Sequence, residues 1–205
     1  MDHADHVGLI RAGVEDRHGA WADLGSGTGA FTLALADVLA GRGSIVSVDR
    51  DGRSQAEQRE RMAATFPATD IRYLEADFTR AIELPALDGI LMANSLHFVR
   101  DKEPVLRRLL AHLRPGGRFI LVEYDADRGN PWVPHPVSFA RWQDIAASVG
   151  LGGTRLIGRV PSRFLGAIYG AASEIPAAPG QWATRPMSAR LDIEDKEAVR
   201  GAIED

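Results

Sequence analysis

Residues 20 to 36 read A-W-A-D-L-G-S-G-T-G-A-F-T-L-A-L-A, and this stretch decides the fold. Trp21, Ala22 and Leu24 make a short apolar run that stops at Gly25. From Phe31 the apolar spacing turns helical, through Ala34, Leu35, Val38 and Leu39. The stretch predicts a strand, a tight glycine turn and a helix. The turn carries no catalytic side chain, so its use lies in the backbone: Gly25, Gly27 and Gly29 remove Cβ atoms where a ligand would approach the start of the helix. Asp23 stands just before that surface. Its carboxylate suits a ligand with a cationic group, such as an amine, better than a pyrophosphate.

Before this unit, Val7, Ile10 and Val14 share one helical face between Asp5 and Gly19, which predicts a short amphipathic leading helix. After it, Gly41-Arg42-Gly43 closes the helix and Ser44 to Asp49 reads as a second strand. Gln55 to Phe66 reads as a mostly polar helix anchored by Ala56, Met62, Ala63 and Phe66, and Ile71 to Ala76 as a third strand running into Asp77-Phe78. Leu87 to Ala93 is a buried fourth strand, with Asn94 to Val99 as the loop at its far end. Pro104 suits a first helical turn, with Leu106, Leu109, Leu110 and Leu113 as the buried stripe. Arg114-Pro115-Gly116-Gly117 then forces a turn into a fifth strand, Phe119 to Tyr124, and Asp125 to Pro136 is a stiff loop. Ser138 is a cap for a helix with Phe139, Trp142, Ile145 and Val149 on one face. Thr154 to Val160 and Phe164 to Ala171 read as an antiparallel hairpin around Pro161-Ser162.

Strands alternate with helices, and the strands are nearly continuous apolar runs. Such strands are buried on both faces, so the sheet is mainly parallel with helices on each side, an α/β doubly wound fold. The expected division is a leading helix at 1–19 covering the site, a binding domain at 20–172 and an appendage at 173–205 with a helix near Asp192 to Ile203.

The chain has 205 residues, 45% of them hydrophobic and 25% charged, which suits one domain with a full core. A formal net charge of -4 offers no global positive field for nucleic acid or an anionic membrane. The absence of Cys removes disulfides, thiolate metal sites and cysteine nucleophiles together. No stretch approaches a membrane span and no leader pattern opens the chain, so a cytoplasmic protein is expected. No cluster has metal-ligand spacing, so no metal is expected.

Ligands of open parallel sheets bind beyond the carboxyl ends of the strands, at the switch in strand order. The candidates are therefore Asp23 to Gly29, Asp49 with Arg50, Asp77-Phe78, Asn94 to His97 and Glu123 to Asp125. Asp49 lies twenty residues after Gly29, where an acid commonly bridges the two hydroxyls of a ribose. Asp77 is placed to accept from an adenine amine, with the backbone N–H of Phe78 donating to the ring; the alternative for Asp77 is a helix cap or exposed turn acid.

These residues together resemble a class I S-adenosylmethionine-dependent methyltransferase over about residues 20 to 125. Asp23-Leu24-Gly25-Ser26-Gly27-Thr28-Gly29 resembles the family's D-x-G-x-G-x-G motif, Val48-Asp49 its ribose-binding acid and Glu75-Ala76-Asp77-Phe78 its adenine-contacting segment. Asp88 to Leu96 resembles the fourth-strand motif, and Leu113 to Arg118 the turn before the fifth strand. The resemblance implies a Rossmann-like seven-stranded sheet with an antiparallel last strand. It implies S-adenosyl-L-methionine as cofactor, with Gly25, Gly27 and Gly29 under the methionine part, Asp49 on ribose, Asp77 and Phe78 on adenine, and Ser26 and Arg50 among the cofactor-binding residues. Asp23 and the backbone around Asn94 then lie near the amino group. Ser26 stands where the family frequently has Cys.

In-line transfer of the electrophilic methyl needs a nucleophile held about 3 Å away. A general base is needed only if the acceptor must lose a proton, and His97 is the candidate, against the alternative of local packing. Tyr124, Trp132 and His135 are the candidate acceptor contacts, and the leading helix, with His3, His6 and Ile10, is expected to cover the acceptor. Arg155, Arg159, Arg163 and Arg185 read as solvated strand edges, with binding of an anionic acceptor as the weaker alternative. The short segment after the fifth strand favours a small-molecule acceptor over a folded protein or nucleic acid, and the apolar residues of the tail suit either a homodimer contact or a disordered tail. Two rivals stand beside this reading. Gly25 to Ala30 with Asp49 also fits an NAD(P)-dependent oxidoreductase, and a non-catalytic nucleoside-cofactor-binding protein would keep the same cavity.

Overall fold

The computed structural model describes residues 1–162 and 164–177. The helix expected near Asp192 to Ile203, together with Arg163 and Arg185, lies outside them. The chain runs α1 (His3–Val14), β1 (Gly19–Leu24), α2 (Ala30–Leu39), β2 (Gly43–Asp49), α3 (Gly52–Thr65), β3 (Asp70–Glu75), β4 (Leu87–Ala93), a 3-10 turn (Leu96–Phe98), α4 (Lys102–Leu110), β5 (Leu113–Tyr124), α5 (Phe139–Ser148), β6 (Gly152–Ser162) and β7 (Gly166–Glu174).

The strands form one sheet in the order β3-β2-β1-β4-β5-β7-β6. β1 to β5 are parallel, and β7 runs antiparallel between β5 and β6. The doubly wound fold with an antiparallel last strand is therefore the observed one. One face packs α4 and α5 through Leu106, Leu109 and Trp142; the other packs α1 and α2 through Ile10, Val14, Phe31 and Leu35. Phe119 and Trp142 stack with ring centroids 5.5 Å apart, both wholly buried. Truncating either to Ala would cost about 3–5 kcal/mol.

Several elements differ from the sequence reading, each for a local reason. Arg114 to Gly117 does not break the chain: β5 already begins at Leu113, paired with Leu87, and the tetrapeptide is accommodated as a register shift before Arg118 pairs with Gly89. Strand pairing on both flanks outweighs the turn preference of Pro-Gly-Gly, as in a β-bulge. Leu113 thus belongs to a strand and not to the helical stripe. The face that α3 buries consists of Gln55, Gln58 and Met62, while Ala56 and Ala63 are exposed. Pro161 and Ser162 lie within β6 and not in the hairpin turn, because the two strands stay paired as far as Ser162 and Gly166.

Helix starts follow their caps. Asp2 and Asp5 form a reciprocal capping box at α1, and Ser138 caps α5 through the Arg141 amide. Arg118, 3% exposed, donates to Glu174, Asp16 and the Gly13 carbonyl, fastening β5 to β7 and to the end of α1. α1 is part of the core: Ile10 is fully buried, His3 bonds Asp37 at 2.8 Å and His6 packs on Phe31.

Candidate functional site

The carboxyl ends of β1 to β4 enclose a cavity of about 510 Å³ at the switch in strand order. Gly25 and Gly27 line it from the first turn, Asp49, Arg50, Asp51 and Ser54 from the second. Ala76 to Thr79 and Asn94, Ser95 and Phe98 complete the wall. The two glycines serve different purposes. Gly27 has φ +52, and a Cβ built there would meet nothing within 4 Å, so it clears the cavity itself. A Cβ on Gly25 would come within 2.5 Å of Ser95, so its absence lets the β4 loop close on the turn, where Ser95 Oγ donates to the Leu24 carbonyl at 2.8 Å.

Asp49 is held in place before any ligand arrives. Its Oδ2 accepts from the Gly27 amide at 2.7 Å and its Oδ1 from the Asp51 amide at 2.9 Å. Each oxygen keeps a further lone pair for a vicinal diol. Asp77 accepts from the Thr79 hydroxyl at 2.6 Å and the Thr79 amide at 2.9 Å; the hydroxyl bond above all holds its carboxyl below the usual range. Phe78 packs its ring against the core beside it. Asn94 takes φ +52 at the end of β4, and its buried Oδ1 has no hydrogen-bond partner among the described residues. That unused acceptor in a cavity-lining residue fits a donor such as an ammonium group.

Asp23, Ser26 and Gly29 do not line the cavity. Asp23 is 1% exposed and accepts from Thr32 Oγ1 at 2.6 Å. Thr32 accepts in turn from Gln58 Nε2 at 2.6 Å, and Gln58 Oε1 accepts from the hydroxyls of Ser26 and Ser47. This buried network ties α2 and α3 to the ends of β1 and β2, beneath the glycine turn. Burial pushes the Asp23 carboxyl up to about 7, against the Thr32 hydrogen bond and helped by the Asp49 charge. A Cβ on Gly29 would strike the Gln58 side chain, so Gly29 makes room for the network. Apolar periodicity could not have found Gln58, because its burial depends on polar partners from three other elements.

His97 is buried as well, with Nδ1 2.8 Å from Glu123 Oε2 and its backbone amide 3.0 Å from Glu123 Oε1. It lies behind Phe98, with ring centroids 4.3 Å apart. Glu123 stood among the strand-end residues without a role, since nothing in the sequence joins it to His97. Tyr124 lies 6.0 Å from the His97 ring and 6.1 Å from Phe164, and Trp132 meets Phe164 edge-on at 5.9 Å. His135 does not join this group by its ring. It lines a separate cavity of about 300 Å³, while its backbone amide donates to the His97 carbonyl at 3.0 Å. None of His3, His6 and Ile10 lines either cavity. Arg155 and Arg159, on the edge strand, pair with Glu174 and Asp125.

A sheet in this order with an antiparallel inserted strand, carrying a cavity over a glycine turn, defines the class I methyltransferase architecture. Residues 22–117 match a family model described as a methyltransferase domain. The chain is 31% identical over 113 residues to the ubiquinone/menaquinone biosynthesis C-methyltransferase UbiE of Ectopseudomonas mendocina, a match covering 53% of this chain and 43% of that protein. It thus spans less than half the length of the curated relatives it matches. The N-methyltransferase NodS of Bradyrhizobium japonicum, solved with S-adenosyl-L-homocysteine, superposes with a TM-score of 0.66 at 18% identity, over 83% of this chain and 85% of that one. The YcgJ protein of Bacillus subtilis superposes with a TM-score of 0.68 at 14% identity, over 85% and 99%. At these identities the likeness to solved structures is one of fold. Residues 22–117 are thus similar to a methyltransferase domain, and the sheet that carries them has the class I methyltransferase fold.

Proposed function

We propose that this chain transfers a methyl group from S-adenosyl-L-methionine to a small-molecule acceptor. Asp49 carries the reading: both of its oxygens are aligned by backbone amides at the edge of a cavity that Gly27 leaves open. In this reading Asp49 and Arg50 hold the ribose, Asp77 and Phe78 the adenine, Gly25 and Gly27 lie under the methionine part, and Asn94 faces its amino group. Asp23, Ser26 and Gly29 act indirectly, by supporting the turn from below. A cavity of about 510 Å³ falls within the range of small-ligand sites, about 300–1,000 Å³. When bound, the cofactor's sulfonium supplies an electrophilic methyl carbon. The chain's own part is to orient that group, exclude water and present an acceptor in line with it.

UbiE is named as a C-methyltransferase and NodS as an N-methyltransferase, so likeness alone carries no acceptor atom over to this chain. The oxidoreductase reading loses ground on topology. Dinucleotide-binding sheets of the 3-2-1-4-5-6 order have no antiparallel strand inserted beside the fifth. Among the described residues no helix is long and apolar enough to cross a membrane.

Calorimetric titration of the folded protein with S-adenosylmethionine, S-adenosylhomocysteine and NAD tests the proposal. Heat with the first two and none with NAD is the expected result. Absence of heat with both sulfur compounds would overturn it, and binding without turnover on any acceptor would favour the non-catalytic reading.

A further inference from the structure

We infer that the acceptor is a planar aromatic alcohol, seated on an exposed shelf of Phe98, Tyr124, Phe164 and Trp132, with His97 as its base and Glu123 as a positioning residue. This rests on the methyltransferase reading above.

The shelf is the first observation. Phe98, Trp132 and Phe164 are 62%, 68% and 50% exposed, whereas the other phenylalanines and tryptophans among the described residues are buried or partly buried. They come from separate segments, the turn after β4, the loop after β5 and the β6–β7 turn; Trp132 meets Phe164, Phe164 meets Tyr124 at the end of β5, and the His97 ring lies between Tyr124 and Phe98. Aromatic faces and edges left in water at adjoining positions favour another ring. Phe98 also lines the cofactor cavity, so the shelf begins where a methyl group would be delivered.

The second observation is the buried pair beside it. Nδ1 of His97 directed at the Glu123 carboxylate leaves Nε2 as the ring's proton acceptor. Nε2 has no hydrogen-bond partner among the described residues. The other charged or titratable groups around the pair are Tyr124 on β5, Tyr169 on β7, which pairs in register with Glu123, Lys102 on α4, His135 in the loop after β5 and, beyond Lys102, Arg141 on α5. An imidazole base draws a proton from a phenolic hydroxyl, whose pKa is about 10, far more readily than from a water-like aliphatic hydroxyl at about 15.7.

The step balances without a further reactant. The acceptor's O–H bond breaks and its proton goes to His97 Nε2. The oxygen's electron pair forms the bond to the methyl carbon as the carbon–sulfur bond breaks, leaving that electron pair on a neutral thioether. His97 then returns the proton to solvent.

The probes are 2-naphthol and its saturated, non-planar counterpart decahydro-2-naphthol, titrated into the intact chain with and without S-adenosylhomocysteine. Binding of 2-naphthol is expected, weakened about tenfold in F98A and in W132A, with decahydro-2-naphthol about tenfold weaker in the wild type. With labelled S-adenosylmethionine the expected product is the methyl ether. H97N should lower kcat about 100-fold with cofactor affinity unchanged. E123Q should lower kcat and move the midpoint of its pH profile while leaving KM unchanged; if E123Q does not fold, H97N decides alone. Equal binding of the two alcohols, methylation on a ring carbon or wild-type turnover in H97N would overturn the inference. Failure of both sulfur cofactors to bind would instead overturn the methyltransferase reading, and the cofactor-free alcohol titrations would still decide the shelf.

Discussion

Thr32 donates a 2.6 Å hydrogen bond to Asp23 across the junction of α2 and β1, and burial raises that carboxyl to about 7. The folded state therefore holds a proton that the unfolded chain, with an ordinary Asp, has already released. Between about pH 4 and 7 this group makes stability fall as pH rises, by an amount on the order of 4 kcal/mol. Asp23→Asn keeps an acceptor for Thr32 and removes the titration. The variant is expected to be the more stable protein at pH 8 and to lose its advantage at pH 4; identical pH dependence of the urea midpoints would refute this.

The two cavity glycines should separate binding from folding. Gly27→Ala places a methyl group in open space at a left-handed φ, costing about 1–2 kcal/mol of stability and about tenfold or more in cofactor affinity. Gly25→Ala collides with Ser95 and should cost more stability than Gly27→Ala. Denaturant unfolding and calorimetry on both variants check the order.

Asp49→Asn should weaken cofactor binding by about 1.5–3 kcal/mol, because a charged acceptor is exchanged for a neutral amide. Its specific signature is a cycle with a 2′-deoxy analogue. The analogue should bind less well than the parent cofactor to the wild type and equally well to the variant. A full deoxy penalty in the variant would remove Asp49 from the ribose.

Lys102 Nζ donates to the Val99 carbonyl at 2.7 Å and the His135 carbonyl at 3.0 Å, joining the loop after β4 to the loop after β5. Burial lowers its pKa, partly offset by Glu123. Lys102→Met should cost about 1–3 kcal/mol by leaving those carbonyls unpaired. Amide exchange at His135, whose N–H bonds the His97 carbonyl, should quicken while cofactor affinity stays unchanged. Unaltered exchange at that amide would count against the link.

What the sequence disclosed follows from which forces are local. β4 was readable to the residue, Leu87 to Ala93, because a continuous apolar run between polar flanks has one reading. Asp49 was readable as the acid that ends β2 beside the glycine turn, because its distance from that turn is set by one strand-helix-strand unit. Arg114 to Gly117 misled because turn preference is local whereas the pairing that overrides it is not. The buried face of α3 misled because Gln58 gains from Thr32, Ser26 and Ser47, residues that only folding brings near. His97 and Glu123 stand 26 residues apart with no periodicity to join them, so their pairing emerges only when β4 and β5 lie side by side.

The insertion of β7 between β5 and β6 has a consequence for biosynthesis. As the nascent chain leaves the ribosome, the outer edge of β5 is bare and the Arg118 guanidinium lacks its Glu174 partner until nearly all of the described sequence has emerged. An open apolar edge of this kind invites pairing with neighbouring chains. Late translational arrest near residue 160 should therefore yield an aggregating product, whereas release just past residue 177 supplies the strand that seals it.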